Sequence, residues 1–342
     1  MPADETPARP PTLNQVAARA GVSLKTASRA LNGEPYVSRA TERRVRQAAD
    51  ELGYRLNGLA RELRTGGTSA LVGLISGDLA NPFYSAVASG AERELRRHGL
   101  LLITVNNDED GDLESSQVQA LVERRVRALL VIPSGGGIDA HNVPLVFLDR
   151  PPPAGRAADS VLIDNDGGAR TAAAHLLAGG HRRIALVADL ARTASQQARI
   201  TGFTAAMRAA GNVDWEPYVR TDVHDAATAG RVVTELLALP FPPTALFTTN
   251  NRVTIGALRA LRDHPVRPAL VGFDDFELAD VVGVTVVAHD TVEMGRAAAR
   301  LAYDRIGGYT GPPRTVIIPT RLIPRGSAER PAGRLLPGGP PS

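Results

Sequence analysis

The chain has 342 residues, of which 43% are hydrophobic and 22% are charged, so it is long enough for two or three globular domains. It contains no cysteine, which excludes disulfides and thiolate chemistry, and no uninterrupted apolar stretch of about 18 residues, which argues against a membrane span. Its polar, proline-rich start carries no secretory signal pattern, so we expect a cytoplasmic protein.

Basic residues are concentrated at the start of the chain. Residues 1–66 hold eleven basic and seven acidic groups, a net charge of +4, whereas the remaining residues hold 28 basic and 29 acidic groups. A basic segment indicates a polyanion as partner, although a solvated charged surface has the same composition. The segment also contains Lys25, the single lysine of a chain whose other 38 basic residues are arginine.

Three short helices are predicted in the first sixty residues. The first covers about 13–20 and the second about 24–31, with Gly21 between them, and the third ends at Gly53. Thr12 with Gln15 makes a capping box at the first helix, Ser23 caps the second, and the third begins near Ser38 to Thr41. Two short helices joined by a tight, glycine-containing turn are typical of a helix-turn-helix domain. Its packing residues are small: Ala17, Ala20, Ala27 and Ala30.

The second helix is predicted to enter a DNA major groove with its N-terminus first. Leu24 is suited to a thymine methyl group, and Lys25 and Arg29 are suited to guanine O6 and N7. The hydroxyl side chains are suited to phosphate oxygens near the helix N-terminus. The predicted DNA-contacting residues of this helix are Ser23, Leu24, Lys25, Thr26, Ser28, Arg29 and Asn32.

Residues 13–66 resemble the DNA-binding head of the LacI/GalR (lactose-repressor) family. The motifs that carry the resemblance are AGVS-x-x-T-x-SR-x-LN, then ELGY, then N-x-x-AR-x-L. The resemblance implies that Leu24, Lys25 and Arg29 read bases. It also implies that the protein binds a palindromic operator as a homodimer.

Residues 57–68 are predicted to form a hinge between two domains. Its seven helical residues are too few for a stable isolated helix, and Gly58 weakens the helix further, so alone the segment is a flexible linker. In the family that it resembles, this segment folds on operator DNA and a leucine wedges open the central base step. Leu63 stands at that position, whereas Gly58 replaces a bulkier residue. The alternative is a plain linker with an incidental leucine.

From residue 71, short β-rich runs alternate with amphipathic helices. About ten strands are predicted over roughly 260 residues, from LVGLIS to TVVA. Continuous apolar strands with intervening helices indicate doubly wound parallel sheets that are covered on both faces. This number of strands indicates two lobes, with ligand sites at the carboxyl ends of the strands.

The resemblance to the LacI/GalR family continues through this α/β region. It is carried by DLANPFY, DNDGGARTAAAHLLAGGHRRIALVA, R-x-x-GF, GFDD and IPRGS, and it implies the two-lobed fold of periplasmic sugar-binding proteins, with three crossovers and one cleft. The predicted domains are a disordered N-terminus (1–11), a helix-turn-helix domain (12–56), the hinge (57–68), an effector-binding and dimerisation core (69–327) and a disordered tail (328–342). Within the core, lobe 1 takes about 69–161 and 291–318, and lobe 2 takes about 162–290 and 319–327. The tail lacks heptads, so the tetramerising helix of the lactose repressor is not expected.

Eight side chains at or near strand ends are predicted to bind the effector: Phe83, Tyr84, Asp149, Arg150, Arg199, Asn250, Asp274 and His289. Carboxylates, arginine and asparagine hydrogen-bond vicinal hydroxyls in pairs, and an aromatic face covers the apolar side of a sugar ring. Each residue alone has a structural alternative, such as a helix cap for an aspartate, a core position for Phe83 or a loop position for His289. The family's pattern places the same set at the effector site. Asn251 stands where the family usually has aspartate.

These features together predict a ligand-responsive transcriptional repressor controlled by a sugar or sugar derivative, with no cofactor and no metal. A nucleoside or purine effector is the alternative within the same architecture, and a transport-type binding protein is the alternative of another class. Catalysis is not expected. Adjacent Asp274 and Asp275 point to opposite faces of a strand, the glycine run at 135–137 lacks the Lys-Ser/Thr of a P-loop, and the seven histidines lack metal-ligand spacing.

Overall fold

The computed structural model describes residues 11–55, 69–211, 215–265 and 267–329. The chain divides into two compact units, a head that ends at Ser69 and a core that begins at Ala70. The predicted hinge residues Gly58 and Leu63 lie outside the described residues, as do the first ten residues and the tail from residue 330.

The described part of the head consists of three helices: α1 (Leu13–Ala20), α2 (Leu24–Leu31) and α3 (Arg39–Leu52). The predicted capping box is present, because the Thr12 side chain accepts from the Gln15 amide while the Gln15 side chain accepts from the Thr12 amide at 2.7 Å. Gly21 ends α1 with φ 63°, a left-handed conformation that favours glycine, and turns the chain into α2. Ser23 caps α2, as predicted, and Ser38 caps α3, at the predicted start of that helix.

Small and β-branched residues form the centre of the head. Val16, Ala27 and Val45 come from the three different helices, and all are fully buried. The four alanines that we predicted to pack are buried as well: Ala17, Ala20, Ala27 and Ala30. Because short side chains let helices approach closely, one face of α2 is fixed against the head and its opposite face remains exposed.

The core alternates strands and helices along the chain. Its strands are β1 (Leu71–Ser76), β2 (Leu101–Asn106), β3 (Leu129–Val131), β4 (Leu145–Leu148), β5 (Asp159–Ile163), β6 (Ile184–Val187), β7 (Val219–Arg220), β8 (Ala245–Thr248), β9 (Ala269–Phe273), β10 (Thr285–His289), β11 (Thr315–Ile318) and β12 (Thr320–Ile323). Its helices are α4 (Pro82–Arg97), α5 (Gly111–Glu123), α6 (Asn165–Ala178), α7 (Ala194–Ala209), α8 (Ala226–Leu237), α9 (Asn251–Arg262) and α10 (Thr291–Ile306), with a short 3-10 helix at Glu216–Tyr218. The described residues thus contain more strands than the ten or so predicted, partly because the two-residue β7 is too short to form an apolar run.

The strands form two six-stranded sheets with equivalent orders, β11-β5-β4-β3-β1-β2 and β12-β10-β9-β8-β6-β7. The first sheet is parallel throughout, as predicted. In the second sheet, β12 runs antiparallel to β10, with Ile323 opposite Val286, so the prediction of wholly parallel sheets is wrong for this edge strand. The reason lies in the connection: β12 follows β11 after the single residue Pro319, without the long crossover that a parallel pairing needs.

The two sheets define the two predicted lobes. Lobe 1 contains β1–β5 and β11, lobe 2 contains β6–β10 and β12, and the chain crosses between them after β5, after β10 and after β11. These three crossings lie close to the predicted lobe boundaries. The predicted tail starts too early, because Ala328 is buried and Glu329 accepts a hydrogen bond from Thr285 Oγ1 at 2.9 Å.

Within lobe 1, helices α4 and α10 cross closely. A Cβ atom at Gly90 of α4 would overlap the carbonyl oxygen of Val292, and one at Gly295 of α10 would overlap that of Val87. This contact fixes the position of α4, whose first turn reaches the candidate site described below. No helix in the described parts of the chain is long and apolar enough to cross a bilayer.

Candidate functional site

The exposed face of α2 carries the side chains that we predicted to read DNA bases. Leu24, Lys25 and Arg29 are all exposed, and Leu24 has 47% of its surface in solvent. Arg29 Nε lies 3.6 Å from Glu34 Oε2, an exposed pair whose cation remains accessible to a base or phosphate. An apolar group beside two cations is suited to base edges in a major groove. The other predicted contacts are exposed Ser23 and the half-buried Thr26, Ser28 and Asn32.

The hydroxyl groups at the start of α2 hold the helix itself. Ser23 Oγ accepts from the Thr26 amide at 3.1 Å, and the two hydroxyl oxygens are 2.8 Å apart. Farther along α2, the Asn32 side-chain amide donates to Ser28 Oγ at 3.4 Å. These contacts stabilise the helix ends and position α2, and the phosphate contacts that we predicted for the same side chains stay a prediction.

In the core, nearly all the predicted effector residues meet in one cavity between the two lobes, at the carboxyl ends of the parallel strands. Seven of the eight line it: Phe83, Tyr84, Asp149, Arg150, Arg199, Asn250 and Asp274. The cavity has a volume of about 60 Å³, which is room for about two water molecules. Ligand pockets are usually several times larger, so a ligand larger than a few water molecules could enter only if the lobes separated.

Asp149 and Asp274 occupy equivalent positions in the two lobes, directly after β4 and β9. Both have a left-handed backbone, with φ 61° and 71°, which is uncommon for residues other than glycine and costs about 1–3 kcal/mol. The Asp149 amide donates to Val161 O and the Asp274 amide to Val287 O, both at 3.0 Å. A hydrogen bond to the adjacent strand, β5 for Asp149 and β10 for Asp274, therefore holds each strained aspartate at the cleft. Strained residues of this kind are typical of binding sites.

Arg150 is held in lobe 1 by a bidentate ion pair. Its Nη1 and Nη2 donate to the two Glu109 carboxylate oxygens at 2.6 and 2.9 Å, and the Tyr84 hydroxyl donates to the same carboxylate at 2.8 Å. Burial alone raises the pKa of Glu109, but the hydrogen bonds and charge of Arg150 outweigh it and hold that pKa below its ordinary value. Burial, reinforced by the Glu109 charge, raises the pKa of Tyr84 well above its ordinary value. At neutral pH the cluster is therefore an ion pair with a neutral phenol.

Arg199 is the main buried cation of lobe 2, with only 4% of its side chain exposed. Its Nε donates to Asn165 Oδ1 at 2.8 Å, and its Nη1 donates to the backbone oxygen of Thr249. Its Nη2 lies 3.6 Å from Asp274 Oδ1, and the guanidinium lies 3.7 Å from the centre of the Phe273 ring. The predicted pair Arg199 and Asp274 is thus brought together and oriented by the protein.

His289 is the predicted effector residue that the structure does not place in the cavity lining. Its side chain is 1% exposed and packs beside Phe83 and Phe273, with ring centroids 5.9 and 6.1 Å away. Its Nδ1 lies 3.9 Å from Asp274 Oδ1, and among the described residues neither ring nitrogen has a hydrogen-bond partner. Asp149 and Asp274 lie just beyond their strands, whereas His289 is still paired within the sheet, opposite Thr320.

Polar contacts join the two lobes at the cavity. Arg252 of lobe 2 forms an ion pair with Asp78 of lobe 1, and Asn251 Nδ2 donates to Asn81 Oδ1 at 2.8 Å. Asn81 Oδ1 also accepts from the Phe83 amide as the cap of α4, so its acceptor atom is fixed toward Asn251. An aspartate at 251 would set an anion against that oxygen. The asparagine at this position is therefore suited to the contact between the lobes.

Ten further cavity residues were missed from the sequence: Asp78, Asn81, Glu109, Asp189, Leu190, Thr193, Ser195, Gln196, His224 and Arg252. Asp78 and Asp189 each lie two residues beyond a strand, β1 and β6, so the reasoning from strand ends finds them when it is applied to every strand. His224 follows β7, which the sequence did not reveal. A 2.9 Å hydrogen bond to Asp189 raises the pKa of His224.

The features that were considered for catalysis have other roles. Asp275 binds Arg325 at 2.7 and 2.8 Å while Asp274 lines the cavity, so the two carboxylates do not form an acid–base pair. The Gly136 amide donates to Glu114 at 2.9 Å, so the glycine run binds a carboxylate of this chain. In the described parts of the chain, no group of acidic and histidine residues is arranged to hold a metal ion.

Comparisons with known proteins match both units. Residues 12–57 match the family model described as bacterial regulatory proteins, lacI family, and residues 173–328 match a periplasmic binding protein-like domain. The chain is 35% identical over 333 residues to the HTH-type transcriptional regulator PtxS of Pseudomonas aeruginosa, covering 93% of this chain and 96% of that one. It is 31% identical to the ribose operon repressor of Escherichia coli K12, covering 93% and 99%. It is also similar to the structure of the transcriptional regulator CelR–cellobiose complex, with a TM-score of 0.70, 31% identity and coverage of 93% and 99%.

Proposed function

The chain belongs to the LacI family of bacterial regulatory proteins, and we propose that it is a repressor that binds operator DNA through its head and a sugar through its core. The observation that carries this proposal is the interlobe cavity. There Asp149 and Arg150 of lobe 1 and Asp274 and Arg199 of lobe 2 converge beside the ring of Phe83. Paired carboxylates and guanidinium groups beside an aromatic ring are the contacts that a polyhydroxylated ring requires.

A sugar fits this cavity better than a purine. The two aromatic rings in the lining, Phe83 and Tyr84, meet edge to face at 5.1 Å with an interplanar angle of 79°. They therefore offer no parallel faces between which a planar base can stack. The relative CelR, 31% identical, is a complex with cellobiose, which also favours a sugar.

The proposed control of DNA binding depends on the spacing of the lobes. The pairs Asp78–Arg252 and Asn81–Asn251 stabilise the closed cleft, and a ligand that binds one spacing better than the other shifts the population toward it. The hinge, with Leu63 as the proposed minor-groove wedge, then transmits the change to the heads.

The proposed assembly is a homodimer on a palindromic operator in the cytoplasm. Leu278, Val281 and Val282, in the loop after β9, are 59%, 76% and 54% exposed. Three exposed aliphatic side chains within five residues form an apolar surface that is suited to a second copy. A two-fold dimer presents two heads to two half-sites one helical turn or a multiple of it apart.

Operator selection followed by ligand titration tests the proposal. Operators are selected from random DNA with the full chain, and binding to the selected site is measured with and without a panel of sugars and nucleosides. We expect a palindromic site and a sugar that changes its affinity at least fivefold, a typical allosteric coupling. Selection of no palindrome, or a response to nucleosides alone, would contradict the proposal.

A further inference from the structure

The cavity that is proposed to bind the sugar carries an excess of negative charge. Its lining includes five carboxylates and three guanidinium groups. His224 adds a fourth cation when it is protonated, but it is already hydrogen-bonded to Asp189 at 2.9 Å. Carboxylates therefore outnumber cations in either protonation state of His224.

Each guanidinium group in the lining is already paired with a carboxylate of the protein. Arg150 forms the bidentate pair with Glu109, and its Nη1 also donates to the backbone oxygen of Pro133 at 2.8 Å. Arg252 binds Asp78. The third, Arg199, faces Asp274 and is held by Asn165 and Thr249. A ligand carboxylate or phosphate would thus have to displace one of these protein carboxylates from its guanidinium partner.

The buried lining atoms that lack partners among the described residues are of mixed type. Gln196 Oε1 and Asp274 Oδ1 are acceptors, and Arg150 Nε is a donor that lies 3.6 Å from Asp149 Oδ2. A fully ionised carboxylate or phosphate group can only accept hydrogen bonds, so it cannot satisfy the two acceptors. A hydroxyl group both donates and accepts, so neighbouring hydroxyls on one ring can satisfy all three atoms.

We propose that the effector is an uncharged sugar, and that the pairing of Arg150 with Glu109 and of Arg252 with Asp78 excludes sugar acids and sugar phosphates from the cavity. The proposal rests on the proposed function and adds the charge class of the ligand. Glu109 is a specificity-determining residue in this account, because its carboxylate occupies the guanidinium edge that a ligand anion would otherwise use.

The test compares each neutral sugar with its own anionic derivatives on the full-length protein. Calorimetry and thermal shift are run with cellobiose and cellobionate, with glucose, gluconate and glucose 6-phosphate, and with ribose and ribose 5-phosphate. Among the compounds that bind, we expect the neutral member of a set to bind at least about tenfold more tightly than its anionic members, because like charges in a desolvated site repel strongly. An anionic derivative that binds as tightly as its neutral parent overturns the proposal.

Charge variants identify the residues that are responsible. Glu109→Gln frees the Arg150 guanidinium, and Asp78→Asn does the same for Arg252 in a more exposed position that tolerates change better. The affinity gap is the ratio of the Kd of an anionic derivative to the Kd of its neutral sugar. In at least one of these variants, this gap should narrow by roughly tenfold. Glu92→Gln removes the same charge from the exposed face of α4, where Glu92 pairs with Arg96, and should leave the gap unchanged. An unchanged gap in both cavity variants overturns the proposal.

The two proposals fail in different ways. A neutral sugar that binds more tightly than its anionic derivatives but leaves operator affinity unchanged contradicts the proposed control of DNA binding. It supports the inference that the ligand is uncharged. A sugar phosphate that binds as tightly as its neutral parent and changes operator affinity supports the proposed function. It overturns the inference that the ligand is uncharged.

Discussion

Arg199→Met separates the structural role of the buried guanidinium from the role that we propose for it in the ligand response. The variant keeps an unbranched apolar stem over Phe273 but removes the hydrogen bonds to Asn165 and Thr249 and the charge that faces Asp274. The side chains of Arg199 and Asp274 are 4% and 10% exposed, so solvent screens their interaction only weakly. Removing one partner of a buried pair costs about 3–5 kcal/mol, which lowers the Tm of a core of this size by roughly 10 °C.

Thermal unfolding and operator binding are the two assays for this variant. At a temperature well below its Tm, Arg199→Met should bind operator like the parent protein and should not respond to the sugar, because the head keeps its own separate core. Arg170→Met is the matched control, since its pair with Asp166 is exposed and worth about 0–1 kcal/mol. It should retain both stability and response.

A double-mutant cycle tests the assignment to the ion pair. Once Arg199 is gone, Asp274→Asn removes the uncompensated carboxylate, so the double variant should recover about 1 kcal/mol or more of the lost stability. A loss below about 1 kcal/mol in Arg199→Met, or no recovery in the double variant, would refute the argument from buried charge. A normal sugar response in stable Arg199→Met protein would refute its role in the effector site.

Three further outcomes are expected. Lys25→Ala should cost about 1–3 kcal/mol on the preferred operator and flatten base preference at one position in each half-site, whereas uniform weakening on all sequences would indicate a phosphate contact; operator selection distinguishes the two. Gly295→Ala should destabilise the core by about 1–3 kcal/mol in denaturant unfolding, because the added Cβ overlaps a carbonyl oxygen of α4. Gly230→Ala is the control: the nearest atom to its added Cβ is 3.4 Å away, so it should stabilise α8 by up to about 1 kcal/mol. Burial lowers the pKa of His289 below its ordinary value of 6.5, so the unfolded chain binds more protons in acid and this residue's contribution to stability falls as pH drops through 6.5. The free energy of unfolding of His289→Leu should therefore fall less than that of the parent protein between about pH 7 and 5. Denaturant unfolding at each pH measures this, and parallel plots of unfolding free energy against pH would contradict this account.

The helices of the head could be predicted from the sequence almost to the residue. The reason is that their boundaries depend on neighbours in the chain. The hydrogen bonds of Thr12 with Gln15 and of Ser23 with Thr26 span three residues, and Gly21 turns the chain by its own backbone conformation. Which face of α2 is buried follows from helical spacing, since Ala27 and Ala30 are three residues apart and both face the core of the head.

The architecture of the core was also predictable, because apolar strands alternating with helices have few stable arrangements. The direction of β12 was not, since it depends on which strand lies beside it after a one-residue connection. The place of His289 was not predictable for a similar reason. Whether the last residue of an apolar run is still paired within the sheet or lies beyond it depends on pairing with a strand that comes later in the sequence, here β12.

The sequence alone identified part of the cavity lining, because seven of the eight residues that we predicted to bind the effector line it, while ten other lining residues were found only in the structure. Only the tertiary structure decided which charges remain for a ligand. Arg150 and Glu109 are 41 residues apart, and Asn251 and Asn81 are 170 residues apart, yet each pair is in hydrogen-bonding contact. Such pairings depend on distances in the folded chain, and short-range sequence patterns carry no information about them. The charge selectivity that we propose for this cavity therefore depends on contacts between its residues rather than on the residues taken singly.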